Sequence, residues 1–365
     1  TAYEIMPSLV GSEMCIRDRS DVEHTAEDSA DSITPLMFLD PENPVWKRRA
    51  MKLAQFMEKL WTGRNKRGFL QFKSTYFTAK KVNLDPQKAC DTVYHPRAVQ
   101  PALLLWQRTG DPHLGRLFIN WLTTWVDATE RSERGKPPGI MPSAIHWPEG
   151  YVGGLKPPWW DPKNHSEARL YRWPSAMPMM LNSLLLAFHM TGREFFLRPL
   201  RAMAAWRLRY LRGDRRWRNE EPGSAYWCAS KMGFLAGTAA KLRVLTGTTE
   251  FDELLKRENF PFVGEGTGGE EDKIVSALRR SAQALRVNFE GYTSEVRYTD
   301  RVLRFPALFS PGMLYKEGVR GIYSPRPQLL YSLATGDPGS IGSVSYTHLR
   351  AHETRHDLVC RLLLE

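Results

Sequence analysis

The sequence is poor in cysteine and lacks the short motifs that mark many enzyme classes. Its 365 residues include four cysteines, too few for the disulfide framework of a small secreted domain. No apolar run is long enough to span a membrane. No phosphate-binding loop, dinucleotide fingerprint, nucleophile elbow or zinc-binding pattern occurs. These absences argue against nucleotide-binding, nucleophile-elbow and zinc enzymes, and we expect neither a metal nor a cofactor.

Both ends of the chain resemble translated sequencing-library adapter. The segments LVGSEMCIRD near the N-terminus and VSYTHLRAHET near the C-terminus are encoded by opposite strands of one short DNA, read in different frames. We therefore expect residues 1–19 and 343–365 to be adapter-derived, with few tertiary contacts, and both native termini to be missing. This interpretation leaves Cys90 and Cys228 as native cysteines, and it removes three C-terminal histidines whose spacing imitates a metal site.

Acidic residues are in deficit. Lys and Arg number 51 against 40 Asp and Glu, a net charge of +11, and removal of the two end segments, whose net charges are −1 and 0, leaves +12. Such a charge favours an acidic partner: a nucleic acid, an anionic glycan or an acidic surface. The basic residues are spread over many segments and no nucleic-acid-binding motif is present, so we predict no nucleic-acid partner.

The chain after its first residues has a helical pattern. Residues 20–43 are acidic and polar at their start, which predicts a disordered or surface lead-in. Apolar residues then recur at helical spacing from Pro44. Residues 68–82 roughly alternate and are rich in aromatics, which predicts a short β-hairpin.

One unit recurs along the chain: a helix that is apolar nearly all round, a Thr-Gly turn, an amphipathic helix and a long loop. The turns begin at Thr109, Thr191, Thr246 and Thr335. The first all-apolar helix is predicted over about 96–108, and the helix after it carries one stripe made of Leu114, Leu117, Phe118, Trp121, Leu122 and Trp125.

An inner ring of apolar helices and an outer ring of amphipathic helices would bury every apolar face, with the Thr-Gly turns on one face and the long loops on the other. This plan resembles the (α/α) toroids of carbohydrate-active enzymes, the six-hairpin glycosidases and the toroidal polysaccharide lyases. The resemblance covers residues 44–342 and implies an all-α fold: an incomplete six-hairpin barrel, truncated at both ends, with long loops and minor β-hairpins on one face.

The longest loop lies between residues 135 and 176 and is rich in proline, glycine and tryptophan. A structureless loop of this length in a compact domain is usually functional or disordered, and its aromatic content argues against disorder. Sugars present apolar ring faces and a rim of hydroxyls, so aromatic platforms beside polar groups are suited to bind them. The loop supplies Trp147, Trp159, Trp160 and Trp173 for this role, with His146 beside the first of them.

The segments that enter the apolar helices contribute further candidate substrate-binding residues: Tyr94, His95, Arg97, Arg172, Tyr226, Trp227 and Lys231. Glycoside hydrolysis needs two carboxylates that flank the scissile bond. The carboxylate candidates are Asp91, Glu149, Asp161 and Glu167.

A second chemistry is suggested by Asn164-His165 followed by Tyr171 and Arg172. These residues look like the Asn-His pair and catalytic Tyr of heparinase-II/III-like lyases. The resemblance implies that Asn164 and His165 hold a uronate carboxylate and that Tyr171 is the base or acid of a β-elimination.

The sequence thus predicts an enzyme that cleaves glycosidic bonds of an acidic, uronate-containing polysaccharide or oligosaccharide, either as a lyase or as a glycoside hydrolase. The alternative is a non-catalytic glycan-binding or scaffold protein of the same fold. A polysaccharide-degrading enzyme of this kind is expected to be periplasmic or secreted.

Overall fold

The computed structural model describes residues 21–26, 33–34, 37, 42–166, 171–214 and 216–260. Helices dominate this part of the chain and the strands are short, which confirms the helical class expected from the sequence. Several expectations lie outside the described residues: the two end segments, the turn at Thr335 and the candidate Glu167. No helix in the described ranges is both long enough and apolar enough to cross a membrane.

The elements are numbered in chain order. The helices are α1 (Val22–Thr25), α2 (Pro44–Phe56), α3 (His95–Ala98), α4 (Gln100–Thr109), α5 (Pro112–Glu130), α6 (Met177–Thr191), α7 (Arg198–Leu211), α8 (Ala225–Ser230), α9 (Leu235–Thr246) and α10 (Asp252–Arg257). The strands are β1 (Thr62–Arg64), β2 (Leu70–Phe72), β3 (Cys90–Thr92) and β4 (Ala144–His146), and they pair as two antiparallel ladders, β1 with β2 and β3 with β4.

The first hairpin differs from the predicted one. β2 pairs with β1 rather than with the residues after it, because Asn65 forms the connecting turn. Its side-chain Oδ1 accepts the backbone N–H groups of Arg67 at 2.9 Å and Phe69 at 3.1 Å. This local hydrogen bonding is typical of an Asx turn. The predicted segment 68–82 contributes only an isolated bridge between Phe77 and Val82.

The apolar helices are buried and the amphipathic ones are buried along one stripe. The six predicted stripe residues of α5 are all buried. The helix predicted over 96–108 is instead two helices, α3 and α4, separated at Val99. Pro101 explains the break, since proline has no N–H to donate to a preceding turn. In the packed structure α4 contacts α6, α6 contacts α9, and α5 packs on both α4 and α6.

The Thr-Gly turns share one geometry. Gly110, Gly192 and Gly247 all have positive φ angles, of 63°, 67° and 70°, which glycine adopts without a steric cost. Each threonine hydroxyl donates to the carbonyl four residues earlier, at 2.7 Å for Thr109, 2.6 Å for Thr191 and 2.8 Å for Thr246. The same oxygen accepts the N–H of the residue after the glycine. The sequence pattern therefore encodes the end of each apolar helix.

The lead-in is not a surface segment where it is described. Val22 and Ala26 are fully buried, and Ile33 and Met37 are nearly so. Each pair is four residues apart, which places both members on one side of a helical turn within an otherwise polar sequence. The prediction of a disordered or surface lead-in is therefore wrong for these residues. Polar composition concealed a sparse apolar pattern.

Candidate functional site

The long loop is fixed by its own hydrogen bonds. Through β4 it pairs with β3, with His146 opposite Cys90 and Ala144 opposite Thr92. At its start, the buried Lys136 ammonium donates to the carbonyls of Thr129, Pro137 and Ile140, at 2.9, 2.9 and 2.8 Å. Burial lowers the pKa of Lys136 to about 7. The loop therefore holds its polar and aromatic side chains in defined positions.

His165 lies in a stack of three rings. Its imidazole is 4.4 Å from the Tyr171 ring and 4.9 Å from the Tyr76 ring, with interplanar angles of 25° and 24°. The His165 side chain is only 1% exposed. Two residues that the sequence placed in one reaction therefore make direct contact, although Tyr76 was not among the predicted residues.

Asn164 lies on the inner side of this stack and is itself buried. Its backbone carbonyl accepts a hydrogen bond of 2.9 Å from the Thr75 hydroxyl. Its carboxamide lies beside the Cys90 thiol. Burial raises the pKa of that thiol to about 12, and the Asn164 side chain opposes the shift in part. Asn164 and His165 are thus both held against the segment that leads into β3.

Tyr94 and Arg97 complete the cluster from α3. The Tyr94 ring is 5.6 Å from that of Tyr171, and the Arg97 guanidinium donates to the Tyr94 hydroxyl at 2.6 Å. Both side chains are buried. We call Tyr76, Tyr94, Arg97, Asn164, His165 and Tyr171 the His165 cluster. It joins an amide, an imidazole, a guanidinium and phenols within one region.

The predicted role of Asp91 is not supported, because its carboxylate is used inside the core. It is fully buried, and its Oδ2 accepts from the Phe72 backbone at 3.1 Å, the Trp121 indole at 2.8 Å and the Trp125 indole at 3.3 Å. Its Oδ1 lies 3.0 Å from Nδ1 of His95. The His95 ring stacks on Phe72 at 4.1 Å, so His95 also belongs to this internal network and not to a substrate surface.

The other predicted carboxylates are held separately. Glu149 forms an ion pair with Lys66 at 2.6 Å near the surface, and Asp161 forms one with Arg172 at 2.6 Å. Among the described residues, none of Asp91, Glu149 and Asp161 shares a binding partner with another. The pair of facing carboxylates that a hydrolase requires is therefore not formed by these candidates.

The predicted tryptophan platform divides into inner and outer rings. Trp159 and Trp173 are each 2% exposed and pack edge to face at 6.2 Å, which fixes the loop against the helices. Neither ring can present a free face to a sugar. The Trp173 indole N–H donates to the Met141 carbonyl at 2.9 Å. The prediction that these two rings bind ligand is therefore wrong.

Trp160 and Trp227 form the outer part. Both are half-buried, their rings are 5.7 Å apart, and each lies under a cation. The guanidinium of the exposed Arg172 is 5.3 Å from the Trp160 ring, and the exposed Lys231 ammonium is 5.1 Å from the Trp227 ring. Gly223 allows this approach, since a Cβ there would lie 2.4 Å from Trp160. We call Trp160, Trp227, Arg172 and Lys231 the aromatic shelf.

The remaining predicted residues do not join the His165 cluster. His146 stacks on Tyr151 at 4.7 Å and its Nε2 lies 3.1 Å from the Pro86 carbonyl, and burial lowers its pKa. The half-buried Trp147 packs on Gly63. Tyr226 packs on Tyr210 and Trp217, at 5.3 and 5.1 Å. The expectation that these residues and His95 converge on one concavity is therefore wrong.

Two further residues approach the His165 cluster without having been predicted. The Lys88 ammonium lies 4.4 Å from the centre of the Tyr76 ring. The Asp21 carboxylate, from the residue before α1, lies 3.7 Å from Nε2 of His165. Lys88 could have been suspected from its position shortly before β3. Asp21 lies in the polar lead-in and carries no local signal.

No protein-family model, no curated protein and no solved structure matches the chain. Within the described ranges, no three His, Cys, Asp or Glu side chains are grouped as they would be to hold a metal ion. The function must therefore be argued from the residues and their geometry.

Proposed function

We propose that this chain cleaves an acidic glycan by β-elimination at the His165 cluster. The observation that carries the proposal is the contact of His165 and Tyr171 at 4.4 Å, with Asn164 immediately before the histidine and buried. Side chains that can hold a carboxylate and a side chain that can exchange a proton are thereby adjacent.

The chemistry needs these groups and no co-reactant. Asn164 and His165 bind the uronate carboxylate, which makes the proton on the neighbouring C5 more acidic. Tyr171 or His165 removes that proton, the electron pair forms the C4–C5 double bond, and the C4–O4 bond breaks. The departing oxygen takes a proton from the acid of the pair. Arg97 contributes positive charge next to Tyr94, at the side of the cluster formed by α3.

Hydrolysis is the less supported reaction. Inverting and retaining glycosidases need carboxylates roughly 6.5–9.5 Å or 5–5.5 Å apart, across the scissile bond. The candidate carboxylates here are occupied by different partners: indoles and a backbone amide for Asp91, a lysine for Glu149 and an arginine for Asp161.

The packing order supports the toroid as the architecture. Helices α4, α6 and α9, each of which ends in a Thr-Gly turn, pack in sequence, as successive inner helices of a ring would. The helices between them lie where outer helices belong: α5 contacts α4 and α6, and α7 contacts α5 and α9. Arg201 joins two of the turns through ion pairs with Glu194 and Glu250.

Charge and the aromatic shelf support an acidic sugar as substrate. The chain is strongly basic, and the shelf combines two indole faces with two exposed cations. An indole stacks on the apolar face of a sugar ring while a cation meets its carboxylate.

The test is to incubate the protein with a panel of uronate-containing polysaccharides and with matched neutral glycans. A lyase produces an ultraviolet-absorbing unsaturated uronate together with new reducing ends. New reducing ends without ultraviolet absorbance would replace the lyase with a hydrolase. A non-catalytic glycan-binding protein is the second candidate, favoured by the burial of the His165 cluster, and it would bind these glycans without cleaving them.

A further inference from the structure

Helix α1 covers the His165 cluster. It packs against α3, the helix that carries Arg97. The Val22 N–H donates to the Thr75 carbonyl at 2.9 Å, and the Thr25 hydroxyl lies 3.5 Å from the Phe77 carbonyl. Thr75 in turn bonds to the Asn164 backbone, so α1 is attached to the same segment as the cluster. The cluster is consequently closed to a polymer in this conformation.

The group that α1 brings to the cluster is a carboxylate. Oδ2 of Asp21 lies 3.7 Å from Nε2 of His165, a distance of electrostatic attraction rather than of a direct hydrogen bond. His165 is one of the two residues to which the proposed function assigns the uronate carboxylate. Asp21 thus places the same chemical group at the same imidazole.

The attachment of α1 is limited. The helix has four residues, too few to be stable by itself, so its position depends on the contacts named above. Burial of Val22 contributes roughly 1.5–3 kcal/mol to that position. A glycan that offers several carboxylates and sugar rings can compete with contacts of this size.

We propose that α1 is a built-in competitor of the acidic substrate, with the Asp21 carboxylate occupying the place of a uronate carboxylate at His165. The inference rests on the proposed function, since it assigns the same subsite. It makes closure of the cluster a regulated state: a bound uronate displaces Asp21, and α1 leaves with it.

The experiment measures the access of reagent to His165 in the full chain. The rate of His165 modification by diethyl pyrocarbonate is followed by peptide mass spectrometry, with His113 as internal reference because its side chain is 47% exposed. Val22→Asp places a charge in an apolar position and should raise the His165 rate at least several-fold, with no change at His113. Asp21→Asn tests the carboxylate with minimal change of shape, and Glu42→Gln is the matched change at an 89% exposed side chain.

Glucuronate and galacturonate are then added as protecting ligands, with glucose as the uncharged control. In Asp21→Asn, one of these uronates should protect His165 at a several-fold lower concentration than in the wild type and in Glu42→Gln. Equal concentrations in the three proteins, or protection by glucose, would overturn the mimicry. An unchanged His165 rate in both Val22→Asp and Asp21→Asn would overturn the cover.

These outcomes are separable from those of the proposed function. Uronate protection that depends on Asp21, without cleavage of any glycan, would refute the lyase and retain the competitor. Glycan cleavage with no effect of either α1 variant would retain the lyase and refute the competitor.

Discussion

At the residue scale, buried polar groups divide into those that are satisfied by the core and those that face one another in the His165 cluster. Asp91 is of the first kind, because two indoles and a backbone amide use its Oδ2. Tyr171 and His165 are of the second kind, since their main relation is a ring contact between groups that exchange protons. This difference decides which residues are worth replacing.

Replacing His165 with Ala or Tyr171 with Phe should lower kcat by about 10²-fold or more if they transfer protons. The measurement is the rate of unsaturated-uronate formation on the substrate found in the screen. His113→Ala is the control, because its imidazole pairs with Glu58 at the surface. Wild-type activity in both cluster variants would refute the lyase assignment.

The two adjacent tryptophans of the loop should respond differently. Trp159→Ala removes a ring that is 2% exposed, and should lower the unfolding free energy by about 3–5 kcal/mol. Trp160→Ala removes a half-buried ring of the aromatic shelf, and should raise KM by about tenfold, or roughly 1.4 kcal/mol, with kcat unchanged. Urea unfolding and steady-state kinetics on both proteins decide the matter. A common loss of stability would contradict the division into inner and outer rings.

At the element scale, local patterns were predictable and long-range contacts were not. The stripe of α5 and the Thr-Gly turns follow from spacing along a helix, because all of their interactions lie within a few residues. The His165 cluster instead requires segments that are far apart, as Thr75 and Asn164 are separated by 89 positions. Tyr76 and Asp21 could not be found from spacing for that reason. Trp159 and Trp173 were misassigned because composition does not distinguish a packed indole from an open one.

The start of the long loop should become more stable as the pH rises. Burial lowers the pKa of Lys136 from 10.5 to about 7, so the folded state disfavours the ammonium form. The contribution of this residue is complete above its unfolded pKa and is lost as the pH falls toward 7. From pH 9 to pH 7 the loss is about 2–3 kcal/mol at 1.36 kcal/mol per pH unit.

Lys136→Met is the comparison for this effect, since it has a similar length and no titrating group. Urea unfolding of both proteins at pH 7 and pH 9 gives the difference in free energy. The wild type should gain on the variant between the two values. Parallel changes with pH would show that the ammonium is as well stabilised inside the protein as in water.

At the scale of the whole molecule, the helical class followed from periodicity, while the ring arrangement depends on which helix ends come together. Contacts among α4, α6 and α9 agree with a ring, and the ion pairs of Arg201 bring two turns close. A ring puts the turns on one face and the His165 cluster on the other. The separation between faces is the length of an inner helix, about 20 Å.

Spin labels test this arrangement in a variant with Cys15 and Cys360 replaced by Ser. Labels at Thr109, Thr191 and Thr246 should give distances between successive turns near the spacing of packed helices, about 10 Å. A label at the exposed Ser166, beside the cluster, should lie about 20 Å or more from each turn. The native Cys90 and Cys228 are buried and should not be labelled. Two turns close to Ser166 would exclude the ring.

The buried carboxylate of Asp91 has a consequence for how this molecule opens. Through its two oxygens, one side chain contacts β2, α3 and α5, and its own residue lies in β3. None of these segments can separate from the others without leaving a charged oxygen unsolvated in the interior, which costs several kcal/mol. The four segments therefore exchange their amide hydrogens as a single cooperative unit, and the loop that β3 anchors is only as labile as that unit.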